Sequence, residues 1–411
     1  MFVVEIFAPY IVYLIAPGFY SDIEKFDLAT ELTRITFPFL IFVSVSSFFS
    51  GILNSHNKFA AAAAAPIILN IILILAIIIS YFFNLNFAKN LSYGVTFAGI
   101  VQLIFLIFFT LKYYRPSIKF KTKISSKVNF FLKRLFPSIF SSGVTQINIF
   151  IGTIIASFEA GAVSYLYYAD RIYQINLAIA GIAVGTVSLP ILAKKIKTKN
   201  LSQALNIQNK SIELCLLLSI PASIGLIIAS DEITNALFGY GSFSNSDVQL
   251  TSMALKYFGY GVSGFALVKV LSNFFFARDN TKTPFYVSLF NVFLNVSISL
   301  IFFRSIGFLI IPIATSIAAW SSVLIYLILL TKNKHINTEF FFNKNYAKIC
   351  LASLIMAIAL YFGINFFEDK LIYSNYYKSF YLIILIILSA IIYLIITKLL
   401  GILKFKNFKA S

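Results

Sequence analysis

Residues 161–190 read GAVSYLYYADRIYQINLAIAGIAVGTVSLP, and Asp170 and Arg171 are their only charges. A helix of roughly 20 residues crosses the hydrocarbon core of a bilayer, and this run exceeds that length. Comparable apolar runs lie near 1–16, 32–54, 61–83, 91–113, 133–157, 208–230, 248–277, 281–303, 307–331, 346–367 and 378–400. Together they predict about twelve transmembrane helices. Composition agrees: of 411 residues, 59% are hydrophobic and 12% charged, with a mean hydropathy of +0.88. Soluble domains carry roughly 45–50% apolar and 25% charged residues. A disordered chain, a disulfide scaffold and an ordinary cytosolic enzyme are thereby excluded. The fold class is an all-α polytopic membrane protein.

The net charge of +18 maps onto topology. With Met1 on the cytoplasmic side, alternation places Lys58, the run Lys112–Arg134, Lys194–Lys210, Arg278, Lys282, Lys332–Lys348 and the tail from Lys398 on that side. The opposite face holds Lys25, Arg34, Lys89, Arg304, Lys370 and Lys378. Lys and Arg concentrate in short cytoplasmic loops, so both termini of the chain are expected to be cytoplasmic. The excess charge then meets anionic membrane lipids, and nucleic acid is not an expected partner. The first run is too short to cross comfortably and lacks the basic flank of a signal peptide, which suggests a start inside a longer helix.

A weak internal repeat is visible. Leu32–Asn70 and Leu255–Asn291 each contain a long span, a tight polar turn, then Pro66 or Pro284 and an asparagine within the next span. Parallel repeats of this kind suggest two similar lobes.

Charges at membrane depth are functional candidates. Arg171 lies about 15 Å of helix rise into its run, and Asp170 cannot neutralise it, because adjacent residues of a helix point apart. A guanidinium suits bidentate recognition of phosphate or carboxylate, so Arg171 is read as a cavity-lining anion ligand, with a structural ion pair to another span as the alternative. Its stripe continues through Gln174 to Ala178, Gly181 and Gly185. The preceding span presents a matching face of Ser138, Ser141, Thr145, Asn148 and Gly152. Lys269 is a second candidate for touching substrate, or it snorkels to the cytoplasmic interface eight or nine residues away. Asn291, Asn295 and Thr315 could bind a cation through their oxygens, or could bond neighbouring helices together. Cys215 and Cys350 lie in apolar runs and read as small hydrophobes. His56 and His335 have no ligands at metal spacing, and no phosphate-cradling loop is present. No metal, cofactor or catalytic group is expected, so the chain reads as a transporter and not an enzyme.

Several segments resemble the MurJ (MviN) lipid II flippases: Thr33-Arg34-Ile35-Thr36-Phe37-Pro38-Phe39, Gly51-Ile52-Leu53-Asn54-Ser55, residues 59–66 and Thr145-Gln146-Ile147-Asn148. So do Tyr167-Tyr168-Ala169-Asp170-Arg171, Gly185-Thr186-Val187, Leu237-Phe238-Gly239-Tyr240-Gly241, Val268-Lys269-Val270-Leu271 and Ala277-Arg278-Asp279. The resemblance implies a two-lobed MOP/MATE-like fold of fourteen helices, in which this chain lacks counterparts of the first two. It divides the chain into 1–113 (remnant of an N-terminal lobe), 114–132 (basic cytoplasmic linker), 133–331 (C-terminal lobe) and 332–411 (two C-terminal helices, which form a groove for a lipid tail in the family, and a basic tail).

What the resemblance implies of function is alternating access around a cationic cavity. Lipid II, an undecaprenyl-pyrophosphate-linked peptidoglycan precursor, would cross the bacterial inner membrane, with cell-wall synthesis proteins as further partners. The family's cavity arginine of the eighth helix falls on Arg171. Asp170 joins Ser138, Ser141, Thr145 and Asn148 in the expected cavity lining, and Gln174 and Lys269 join Arg171 as expected substrate ligands. Two departures stand out: the cavity arginines of the family's first two helices have no counterpart, and Gly152 stands where some relatives carry an aspartate of a sodium site. Export of another polyprenyl-linked glycan or a drug, and a non-functional remnant, are the alternative expectations.

Overall fold

A computed structural model describes residues 2–115, 126–336 and 343–402, without the side chains of 2, 3, 127, 131–142, 144 and 145. Among the described residues the chain is helical with no strand. Nine helical stretches there are long and apolar enough to cross a membrane. One of them, Lys282–Lys332, is two helices meeting at Gly307, whose φ of +73° ends the first.

The chain divides into two compact units, residues 1–137 and 138–411. In the first, the run 1–16 is not one span. It forms two short helices, α1 (Phe2–Ile6) and α2 (Ala8–Ile15). Pro9, in the first turn of α2, has no N–H to continue a ladder, and the helix restarts with Ile11 N–H on the Phe7 carbonyl at 3.1 Å. Then come α3 (Ile23–Thr36), α4 (Phe39–Ser55), α5 (Phe59–Phe82) and α6 (Phe87–Thr110). Pro38 interrupts the ladder between α3 and α4, and the Ile35 carbonyl accepts the Thr96 hydroxyl of α6 at 2.5 Å. Small residues let α6 come close: a Cβ at Gly99 would lie 2.8 Å from the Phe39 ring.

Helix α7 (Ser126–Ala156) contains the division between the units. It begins inside the segment read as linker, so 126–132 are helical, whereas 116–125 lie outside the described residues. The second unit continues with α8 (Ala162–Leu177), a π-helical turn over Ala178–Ala183, α9 (Val184–Lys197), α10 (Leu201–Ile228) and α11 (Ser230–Phe238). It ends with α12 (Asn245–Phe276), α13 (Lys282–Ile306), α14 (Ile310–Lys332), α15 (Lys344–Phe366), α16 (Glu368–Leu371) and α17 (Lys378–Leu399). Helix α12 is the axis of this unit, packed by α8, α10 and α14. Leu255, Val262, Ala266, Val270, Leu271 and Phe274 are buried along it. Helices α15 and α17 pack on each other, and α10 and α11 receive them. The last two spans therefore belong to the same unit as 138–331.

The two repeat turns share geometry. Asn57 and Asp279 adopt left-handed φ values of 59° and 58°. The next N–H in each, of Lys58 and Asn280, reaches back to the Leu53 and Phe275 carbonyls at 2.9 and 3.0 Å. This closure satisfies helix-end carbonyls and suits a short polar side chain that tolerates positive φ. Of the cysteines, Cys215 is buried and Cys350 is exposed.

Candidate functional site

Helix α8 is pinned at its first turn. Gly161 at φ +76° opens it, and the Tyr165 hydroxyl donates to Asp247 Oδ1 of α12 at 2.7 Å. Asp247 also closes a capping box with Ser244. Just before α8, the Glu159 carboxylate accepts the Phe308 N–H at 2.7 Å. These links hold α8 against α12 and the start of α14, and fix the direction in which its next turns project.

Those turns line a cavity of about 330 Å³ with α7, α13 and α14. Arg171 lies there with its guanidinium carbon 4.7 Å from the Tyr167 ring centroid, an attractive stacking geometry. Asp170 accepts a hydrogen bond from Gln174 one turn on. Among the described residues the single ion pair is Lys89–Glu31, so Arg171 has no carboxylate partner there. The pairing of Asp170 with Gln174 leaves the guanidinium free to meet an anion.

Arg171, Gln174, Asp170 and Asn148 line this one cavity, together with Asn295 and Thr315. Asn295 Nδ2 donates to Asn148 Oδ1 at 2.8 Å and to Thr315 Oγ1 at 3.2 Å. Ser299 donates to Asn295 Oδ1 at 3.3 Å, which sets the amide's orientation. The oxygens of Asn148 and Thr315 thus face an N–H donor, not one another. Asn291 is not part of this group: it donates to Ser322 of α14 at 2.9 Å. The expected trio is therefore split. Side-chain hydroxyls of Ser138, Ser141 and Thr145 lie outside the described residues.

Lys269 is elsewhere too. It lines a second cavity, of about 750 Å³, with Gly185, Thr186, Ser272, Asn273 and Ser288. The physical reason lies in the α8–α9 run. A π turn shifts the helical phase, so the stripe predicted from Arg171 through Gly181 to Gly185 does not stay on one face. Gly181 and Gly185 line the Lys269 cavity, and Arg171 and Gln174 the other.

Sequence reasoning did not single out Asn273, although it stands one turn from Lys269 on the same face. It also missed the surroundings of Lys378, which is 1% exposed. The Lys378 ammonium donates to Asn235 Oδ1, the Gly239 carbonyl and the Tyr373 carbonyl at 2.9, 2.6 and 2.8 Å. The rings of Tyr240 and Tyr373 complete its surroundings at 4.2 and 4.6 Å. This cage ties the loop after α11 to the start of α17. Beside it runs an apolar groove of about 600 Å³, walled by Leu217, Pro221, Ile233, Leu360, Leu382 and Ile386 among others.

The fold and these cavities define a multi-pass membrane transporter. An inward-facing multidrug-resistance MATE transporter of the MOP superfamily has the same fold, with a TM-score of 0.69 at 15% identity, over 81% of this chain and 78% of its own. A lipid II flippase MurJ in an inward closed conformation is more similar, with a TM-score of 0.80 at 27% identity, covering 97% of this chain and 79% of that one.

The family model described as lipid II flippase MurJ matches residues 1–399, and the chain belongs to that family. A probable lipid II flippase MurJ of Rickettsia prowazekii (strain Madrid E) is 39% identical over 376 residues, 90% of this chain and 73% of the relative. One of Rhizobium tropici is 35% identical over 406 residues, 97% and 76% respectively.

Proposed function

We propose that this chain moves lipid II, an undecaprenyl-pyrophosphate-linked peptidoglycan precursor, from the cytoplasmic to the outer leaflet of the bacterial inner membrane by alternating access. The observation that carries the reading is Arg171: a guanidinium within a spanning run, lining a cavity and free of a carboxylate partner among the described residues. Family membership supplies the substrate class. A guanidinium offers two parallel N–H donors to a phosphate, and the Tyr167 ring holds that plane in place. Gln174 and Asp170 offer a donor and an acceptor to the sugar hydroxyls next to it.

A cavity of about 330 Å³ admits the diphosphate and part of the first sugar, not the whole precursor. The polyprenyl tail has a fitting path in the apolar groove of α10, α11, α15 and α17. The matching turns at Asn57 and Asp279 support two related lobes, residues 1–113 and 133–331, as the elements that rock in alternating access.

In this reading the Lys/Arg-rich loops face the cytoplasm. An inside-negative potential then favours outward movement of the anionic headgroup by about 2.3 kcal/mol per charge per 100 mV. The amide donor of Asn295 fills the place between the Asn148 and Thr315 oxygens, which fits potential in place of a coupled cation.

The test is substrate competition and rescue. Expressed in a strain depleted of its own flippase, the chain restores growth and Arg171→Ala does not, at equal membrane abundance. In reconstituted vesicles, unlabelled lipid II competes with labelled lipid II, and a polyprenyl-linked glycan lacking the peptide competes at least tenfold less well. Equal competition by that glycan would make the chain an exporter of a broader class.

A further inference from the structure

The cavity around Lys269 is separate from that around Arg171, and we propose that it is a second anion site. It takes the diphosphate of a polyprenyl-linked headgroup in the cytoplasmic half of the membrane, before that headgroup reaches Arg171. The order of the two sites rests on the transport function proposed above.

The cavity walls come from the π-helical turn, α9, α12, α13 and α14, and no carboxylate stands among the described residues of its lining. Thr186 and Ser272 direct their hydroxyl protons to the Ile182 and Lys269 carbonyls, at 2.8 and 3.0 Å. Its side-chain nitrogen donors are the Lys269 ammonium and the Asn273 amide, one helical turn apart on α12, with the hydroxyls of Thr281, Ser288 and Tyr326 also in the lining. Lys269 precedes the last residue of α12 by roughly 10 Å of helix rise, and among the described residues no ion pair offsets its charge. A cation at that depth without a partner is costly unless an anion visits it.

Room for the amide is built in. A Cβ at Gly185 would lie 2.6 Å from Asn273 Nδ2, so a larger residue there would shift that amide. The volume, about 750 Å³, takes a diphosphate together with its first sugar. From Arg171 to Gly185 the α8–α9 run rises roughly 20 Å, and the π turn between them points the two ends to different cavities. One continuous run of chain thus contributes to a cation site at each of two depths, which a headgroup crossing the membrane meets in turn.

The experiment uses the full chain in phosphatidylcholine nanodiscs, in an Arg171→Ala background that removes the other cation. Binding is measured with three probes: undecaprenyl diphosphate, undecaprenol and inorganic pyrophosphate. The expected result is that adding Lys269→Met weakens undecaprenyl diphosphate at least tenfold, leaves undecaprenol within twofold, and is reversed to within threefold by Lys269→Arg. Pyrophosphate alone binds at least a hundredfold more weakly than the lipid-linked form. Unchanged diphosphate affinity in Lys269→Met, or equal loss for undecaprenol, overturns the site. Pyrophosphate binding as tightly as the lipid would make its ligand a free anion and overturn the assignment to a lipid headgroup. If the parent chain fails to move lipid II while Lys269-dependent diphosphate binding persists, the transport reading falls and the site stands.

Discussion

The two cavities of the second unit answer the same problem differently. Around Arg171 the space is about 330 Å³ and its polar groups are already engaged: guanidinium on Tyr167, Asp170 with Gln174, and Asn295 with Asn148 and Thr315. Around Lys269 the space is about 750 Å³ and the ammonium stands without such support. The first arrangement orients a planar fork, whereas the second supplies a movable point charge. Preorganised donors discriminate between ligands, and a flexible lysine in a roomy cavity tolerates many poses.

The same conservative exchange should therefore act unequally in the two places. Arg171→Lys loses the fork and the stacking, and is expected to lower lipid II translocation at least tenfold. Lys269→Arg keeps the charge in a cavity with room for it, and is expected to stay within threefold. Initial translocation rates in vesicles decide the matter, and equal effects would erase the distinction. A smaller effect is expected at the support: Tyr167→Leu should reduce translocation about two- to fivefold, from the roughly 0.5–1 kcal/mol of an exposed cation–aromatic contact, with Tyr167→Phe near the parent. Indifference of the rate to Tyr167→Leu would show that the guanidinium is oriented by something else.

The Asn295 cluster offers a subtler probe of the Arg171 side. Asn295→Asp replaces the N–H donor between two oxygens by a charged oxygen, and oxygen-rich groups attract hard cations. The variant's translocation is expected to rise severalfold with sodium at constant potential, while the parent changes less than twofold. Sodium dependence in the parent would contradict the reading of that amide.

The smallest effect belongs to the basic turn after α14. Burial and the nearby Arg278 charge hold the His335 imidazole below its ordinary value. Because its proton affinity is lower in the folded state, His335 favours the fold above the ordinary histidine range, and that contribution is lost as pH falls below it. Thermal unfolding should show a decline from pH 7.5 to 5.5 that His335→Gln reduces, and an unchanged slope would remove His335 as its source.

How much of this was legible before the structure follows from what a span reveals. Arg171 could be found because a charge in the middle of an apolar run has no interface within easy reach, and Gln174 followed by helical spacing. Asn148 was legible as one member of a polar stripe. The separation of Lys269 was not, because the π turn at Ala178–Ala183 rotates the face of a run whose residues keep an ordinary pattern. Neither was the split of Asn291 from Asn295. Both asparagines lie one turn apart on α13, and only the placement of Ser322 on α14 gives the first its own partner. Pro9 carried the signal that breaks the run 1–16, but hydropathy masked it. The Lys378 cage needed three backbone or side-chain oxygens from segments more than a hundred residues apart, which no local pattern encodes.

In the proposed transport cycle the Arg171 guanidinium carries the headgroup across the membrane. Its most direct test is lipid II translocation by purified protein in vesicles under an inside-negative potential, comparing the parent with Arg171→Ala. Measurable transfer is expected from the parent and none above protein-free vesicles from the variant, with both retained in the membrane at equal amount and thermal stability. Transfer by Arg171→Ala at the parent's rate would contradict it.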